Sequence, residues 1–322
     1  MKILVTGGAG FIGSHLIDKL LSEGHEVINI DNFDPFYSHD VKRNNIANHF
    51  KYKNYAFFEA DIRDQEKLRL IIDESVDTII HLAAKAGVRP SLVNPVEYQE
   101  VNVTGTQYLL EVAREKGIKK FIFASSSSVY GKNKNVPWSE NDFVLKPISP
   151  YASTKVSGEL LGHVYSHLYD INFIALRFFT VFGPRQRPDL AIHKFFNLVL
   201  NGKTISLYGD GSSRRDYTYI EDIIDGIMSS LTYSNSKYEI INLGNNKTTK
   251  LLELVRLIEK VLGTNVEKIH MNEQPGDVAQ TWANIEKAKK LIDYRPDTSV
   301  EEGLYKFKEW YLNNHQISVT RE

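Results

Sequence analysis

Cysteine is absent from the 322 residues, which excludes disulfides and thiol chemistry and leaves the redox compartment open. Neither sign of charge dominates: 39 Lys+Arg against 40 Asp+Glu give a net charge of −1, which argues against nucleic acid or an anionic membrane surface as partner. No apolar run approaches the length of a bilayer span. A secretory leader is not expected either, because the first apolar stretch is broken by glycines and continues into a charged helix pattern. The histidines are scattered, no His/Asp/Glu cluster has ligand spacing, and no metal site is expected. Repeats, low-complexity tracts and linkers are missing as well. These absences leave a soluble, cytoplasmic chain, and its 42% hydrophobic content suffices for one large or two medium domains sharing a core.

What is present is organised around MKILVTGGAGFIGSHLIDKLL at the start of the chain. A short apolar strand (Lys2 to Thr6) runs into a glycine-rich turn and then an amphipathic helix pattern. Gly7, Gly10 and Gly13 permit in turn a sharp bend, close approach of a pyrophosphate to bare backbone, and tight packing of helix on strand. The helix start would offer unpaired N–H groups and a positive dipole end to the phosphates. Asp31 closes the next strand 18 residues beyond Gly13, where a carboxylate would bind a ribose diol and favour NAD over NADP. Lys42 and Arg43 lie nearby, so NADP is weakened rather than excluded.

Apolar runs and helical patterns then alternate. Strands are expected in EVINID (26–31), YAFFEADIRD (55–64), DTIIHLAA (77–84), KKFIFASSSSVYG (119–131) and INFIALRFFT (171–180). Helices are expected at about 65–74, 95–116 and 151–169, with an amphipathic segment over 41–50. This rhythm predicts an α/β fold, a doubly wound parallel Rossmann sheet whose ligands sit beyond the carboxyl ends of the strands. After Thr180 the periodicity loosens. A short strand (204–208), IINLG (240–244) as a strand able to return to the main sheet, and helices near 249–262, 284–292 and 300–313 follow. The expected organisation is a dinucleotide-binding domain over 1–180, joined by late elements near 216–244, with 181–322 forming most of a smaller α/β substrate-binding domain.

Asp61 and Ile62 end the third strand where an adenine would lie; Asp61 reads equally as a solvated loop acid. HLAA ends the fourth strand, with Ala83 and Ala84 after Leu82 small enough to let a cofactor approach the backbone, and His81 beside them reads as a satisfied structural histidine. In PYASTK (150–155), Tyr151 and Lys155 stand four apart at the start of a helix, on one face. A phenol is a poor base at neutral pH; a neighbouring ammonium and an oxidised nicotinamide would favour its phenolate. The serine run Ser125 to Ser128 supplies hydroxyls to relay a proton, Ser126 foremost, unless those serines only satisfy loop backbone.

GGAGFIG, HLAA, SSSSVYG, YASTK, LRFFTVFGP, YGDGSSRRDY and PGD, in this order along the chain, resemble the extended short-chain dehydrogenase/reductase family of nucleotide-sugar epimerases and dehydratases. The resemblance implies Ser126, Tyr151 and Lys155 as catalytic residues, and NAD held by Gly7, Gly10, Phe11, Ile12, Gly13, Asp31, Asn32, Asp61, Ile62, Leu82, Ala83, Ala84 and Asn102, with Tyr151 and Lys155. Family 4,6-dehydratases carry adjacent Asp and Glu where Ser127 and Ser128 stand here, and decarboxylases a Glu, so the groups for those reactions are missing. Thr180 stands where galactose-type epimerases commonly carry Asn, and resembles the UDP-glucuronate 4-epimerases. Ser127, Ser128 and Thr180 would then hold a sugar carboxylate with neutral donors. For the nucleotide and sugar, the resemblance implies Arg215 at the diphosphate, Arg187 closing over sugar or phosphate, Ser206 and Tyr208 at uracil, Arg89 at the sugar, and Asn242, Gln274 and Asp277 at the nucleotide. Both Arg187 and Arg215 could instead be loop surface residues. The implied activity is UDP-glucuronate 4-epimerisation in a homodimer formed through the helices around 95–116 and 151–169. The alternatives are a UDP-glucose or UDP-N-acetylglucosamine 4-epimerase, a UDP-glucuronate decarboxylase, or a non-catalytic NAD-binding sensor. An intact Ser126, Tyr151 and Lys155 argue against the sensor.

Overall fold

The computed structural model describes residues 1–143, 145–272 and 278–319, with side chains through 314. Six strands form the first half: β1 (Lys2–Thr6), β2 (Glu26–Asp31), β3 (Tyr55–Glu59), β4 (Thr78–His81), β5 (Lys120–Ser126) and β6 (Asn172–Phe178). Shorter strands β7 (Thr180–Phe182), β8 (Ile205–Tyr208), β9 (Arg214–Arg215) and β10 (Tyr217–Tyr219) precede β11 (Tyr238–Leu243). The seven-stranded main sheet runs β11-β6-β5-β4-β1-β2-β3, and every neighbouring pair is parallel. Strand order reverses between β1 and β4, and that is the switch point where ligands lie in doubly wound sheets.

Burial on both faces explains the near-continuous apolar runs of the inner strands. Ile3 and Val5 of β1 face one apolar core while Leu4 faces the other, the period-two alternation of a strand. β3, at the sheet edge, is the half-exposed exception. Helices α1 (Phe11–Ser22), α2 (His39–Ile46), α3 (Gln65–Ile71), α4 (Val88–Val93), α5 (Pro95–Gln99), α6 (Gly105–Lys116) and α7 (Pro150–Tyr169) cover the two faces. The core that includes Ile3 and Val5 extends without a break to Phe196 of α8 (Ala191–Leu200), Ile223 of α9 (Ile220–Thr232), Leu254 of α10 (Leu251–Leu262), Ala288 of α11 (Glu286–Ile292) and Phe307 of α12 (Val300–Val319). β11 rejoins the sheet beside β6, with Ile241 opposite Leu176.

The helix expected over 95–116 is present, helical from Pro95 to Lys116 and closed by Gly117 at φ +73°, with a π turn inside it that the periodicity did not foretell. The chain forms α4 and α5, then a widened π turn over Glu100–Thr104, then α6. Pro95 opens α5 at a position where its missing N–H is not needed. The π turn accompanies an inward-facing Asn102 whose amide is hydrogen-bonded to the backbone of Lys85.

Candidate active site

A cavity of about 520 Å³ follows the carboxyl ends of the sheet strands. Its floor is the β1–α1 turn. Gly7 has φ +75°, and a Cβ there would lie 2.7 Å from the backbone nitrogen of Ala83. A Cβ on Gly13 would lie 2.3 Å from the carbonyl oxygen of Gly7, so no side chain fits between helix and strand. No side chain caps the start of α1 at Gly10, which leaves its first N–H groups facing the cavity floor. Phe11 and Ile12 complete this wall.

At one end, the Asp31 carboxylate accepts from the amides of Ala9 at 3.0 Å and Phe33 at 2.8 Å. Burial pushes its carboxyl up, and those bonds together with Lys42 oppose the shift. Asp61 is gripped by Arg63 and by Asn32, whose amide donates at 3.0 Å. The Arg63 bond is the largest cause holding its carboxyl down at about 2. Ile62, Leu82, Ala83 and Ala84 supply apolar wall. His81 lies behind it, bonded through its two ring nitrogens to Thr6 and Thr106, and burial lowers its pKa to about 3. It is neutral and structural.

At the other end, Ser126, Ser127, Ser128, Tyr151, Lys155, Thr180, Arg187 and Arg215 meet around one space. Ser149 caps α7 through the Ala152 amide, which fixes the helix start that presents Tyr151. Burial raises the Tyr151 phenol, while a hydrogen bond from Ser126 and the charge of Arg187 oppose the rise. Lys155 donates to the carbonyl of Ala124 at 2.6 Å, and its amine lies 5.9 Å from the centre of the Tyr151 ring. Burial lowers this amine to about 7. Among the influences that oppose the rise of the phenol, the charge is that of Arg187, which lines the same space as Lys155. Arg187 is itself fixed by two bonds to Asp189 and lies 5.1 Å from the Phe36 ring centre.

Several expected residues do not line the cavity. Asn102 holds Lys85 through both its backbone N–H and C=O and donates to Thr154, so it shapes the wall from behind. Asn242, fully buried, accepts from Tyr130 and donates to the carbonyls of Trp138 and Asn284, which consumes its amide. Arg89 stacks over Tyr208 at 5.0 Å, and with Ser206 these residues stand outside the walls. Gln274 and Asp277 lie outside the described residues. In the other direction, Phe36, Tyr37 and Lys42 line the cavity, as does Lys85, which bridges Asp34 and Glu97 at 2.8 Å each. Lys42 had a sequence signal through its place after Asp31; the Phe36–Tyr37 loop follows no motif.

The family model described as GDP-mannose 4,6 dehydratase matches residues 4–307. The chain belongs to this family of extended short-chain dehydrogenases/reductases. A UDP-glucuronate 4-epimerase of Thermodesulfobacterium geofontis is 40% identical over 316 residues, covering 98% of this chain and 97% of that one. The crystal structure of UDP-glucuronic acid 4-epimerase from Bacillus cereus in complex with UDP-glucuronic acid and NAD superposes with a TM-score of 0.91 at 38% identity, over 98% of this chain and 100% of that one. UDP-glucose 4-epimerase from Thermotoga maritima, solved with UDP-glucose, gives 0.89 at 33% identity over 98% and 100%. Within the family, this member carries hydroxyls rather than carboxylates in the loop after β5.

Proposed function

We propose that the protein is an NAD-dependent 4-epimerase of UDP-sugars that interconverts UDP-glucuronate and UDP-galacturonate through a transient 4-keto sugar. The observation that carries this is the wall around Tyr151. Among the described residues lining that end of the cavity, Ser126, Ser127, Ser128 and Thr180 bring hydroxyls and Lys155, Arg187 and Arg215 bring cations, while the carboxylates of the lining, Asp31, Asp34 and Asp61, belong to the other end. Water elimination across C5–C6 would need an acid and base that this wall lacks.

The other end fits NAD. A floor that no Cβ can enter, an uncapped helix start and a buried carboxylate held by two amides suit a pyrophosphate and a ribose diol. The Asp31 charge also opposes a 2′-phosphate. NAD, when bound, accepts a hydride from sugar C4 and returns it to the opposite face. Tyr151 takes the proton of the C4 hydroxyl and later gives it back, with Ser126 bonded to the same oxygen. Ser127, Ser128 and Thr180 hold the sugar carboxylate. The 4-keto uronate is a β-keto acid, and these donors keep its C–C bond out of line with the carbonyl π system, so that carbon dioxide is retained. Arg215 neutralises the diphosphate, with Arg187 closing over the sugar.

Residues 1–180, with late elements near 216–244, hold the dinucleotide, and 181–322 mainly hold the UDP-sugar. A homodimer is supported by an exposed apolar stripe on α7, Leu160, Val164 and Leu168, beside exposed Val93 and Val96. Among the described residues no helix is long and apolar enough to cross a membrane, and the cytoplasm is the proposed location. Incubation with UDP-glucuronate and NAD, read by proton NMR of the sugar, tests the assignment. An axial C4 hydroxyl supports it, a pentose product makes the enzyme a decarboxylase, and turnover of UDP-glucose or UDP-N-acetylglucosamine alone moves the substrate to a neutral sugar.

A further inference from the structure

Three elements converge on one buried carboxylate behind the catalytic wall. Glu159 follows Lys155 by one turn of α7, so Tyr151, Lys155 and Glu159 form a single stripe. Arg177 of β6 donates to both oxygens of Glu159, Nε to Oε1 and Nη2 to Oε2, at 2.8 Å each. Ser125, at the end of β5, donates to Oε1 at 2.5 Å. Glu159 is 3% exposed and Arg177 1%. So dry an ion pair contributes little net stability, because desolvation offsets the attraction and apolar residues of similar volume do as well. Its location gives a better reason for it. Arg177 lies opposite Ser125 in the β5–β6 ladder, and Ser125 precedes Ser126.

We propose that Glu159 is a positioning residue for the reaction, tying the Ser125–Ser126 end of β5 to α7 and placing a negative charge beside Lys155. That charge favours the cationic form of Lys155 next to Tyr151. This rests on the epimerase reading, in which Tyr151 must approach phenolate. Burial pushes the Lys155 amine down, and Glu159 is the charge that opposes it. The other groups around Lys155 do not replace it. His81 of β4 is neutral between two threonines. Tyr151 on α7 carries a raised phenol. Arg177 of β6 has the same sign as Lys155, so it cannot stand in for Glu159; it pairs with Glu159 and lies 4.8 Å from the Tyr130 ring centre. Arg187, across the cavity, acts on Tyr151. Ala124 of β5 offers Lys155 only a carbonyl.

Glu159→Gln keeps the shape and removes the charge. Carbon-13 NMR of the lysine ε-carbons, with Lys155 assigned by its loss in Lys155→Met, is expected to show Lys155 titrating ~1 pH unit lower in Glu159→Gln than in the unaltered protein. The alkaline limb of the kcat–pH profile is expected to move down with it. Should the lone Arg177 prevent folding, Glu159→Gln/Arg177→Met removes both charges and is expected to shift the titration in the same direction. A Lys155 titration unchanged in either folded variant overturns the proposal, whatever the change in Tm. The titration needs no substrate, so it is decided separately from the epimerase reading, which fails if the unaltered protein does not turn over UDP-sugars.

Discussion

The Lys155 amine and the Tyr151 ring share one face of α7, yet the amine bonds the Ala124 carbonyl at 2.6 Å and stands 5.9 Å from the ring centre. The pair is thus coupled through space and through β5 rather than by a direct bond. The phenol's bonding partner is Ser126. Tyr151→Phe is expected to lower kcat ~10³-fold, the range of a lost general acid–base group. NAD affinity, read by fluorescence titration, should stay near that of the unaltered protein. A variant turning over at the original rate would remove Tyr151 from the mechanism.

Ser127, in the turn that follows β5, and Thr180, at the start of β7, line the same space. Ser127→Ala and Thr180→Ala are each expected to slow epimerisation of UDP-glucuronate about tenfold, for loss of one hydrogen bond to a charged group. Each should also release some UDP-4-keto-pentose, detected by mass spectrometry. No pentose and no slowing would mean that the carboxylate is held elsewhere.

Asp31 makes two bonds to backbone amides and also supplies charge at the ribose end. With Asn in its place, the Kd for NAD should rise about tenfold, and the preference over NADP should narrow. Calorimetric titration with both dinucleotides measures this. An unchanged NAD:NADP ratio would exclude Asp31 as the discriminating group.

Asp216 is fully buried, and burial raises its carboxyl to about 6 even though it accepts from Asn245, Asn246, Ala283 and Thr218. Its folded value lies above the unfolded one, so the folded state binds the proton more tightly. The stability this contributes is complete below about 4 and is lost as pH rises through about 6. Urea unfolding of the protein and of Asp216→Asn between about pH 4.5 and 7, the window that follows from this linkage, should show their stability difference shifting against the unaltered protein as pH rises. A constant difference would show that Asp216 does not titrate there.

The sheet was legible because inner parallel strands read as unbroken apolar runs, and IINLG had the same character in a polar stretch. Gly7 and Gly13 were legible because their places admit no Cβ, and Asp31 because it closes the strand after the glycine turn; Tyr151 and the serines were placed at the cavity by the resemblance of their motifs. Asn102 and Asn242 were not: an amide reads alike whether it binds a ligand or fastens a loop, and only the tertiary partners decide. The Phe36–Tyr37 segment has no period, and its place on the wall follows from the course of the chain between Asp31 and α2. Helical periodicity over 95–116 concealed the π turn, since one widened turn barely disturbs the pattern.

The pairing of β11 with β6 sets an order on biosynthesis. Until the ribosome has delivered Leu243, the nascent sheet ends at β6 with an unpaired row of amides and carbonyls around Phe173, Ile174 and Leu176. The glycine turn emerges first, but its sheet cannot be finished until most of the remaining chain has left the exit tunnel. That margin is therefore the edge at which an unfinished chain is open to pairing with another.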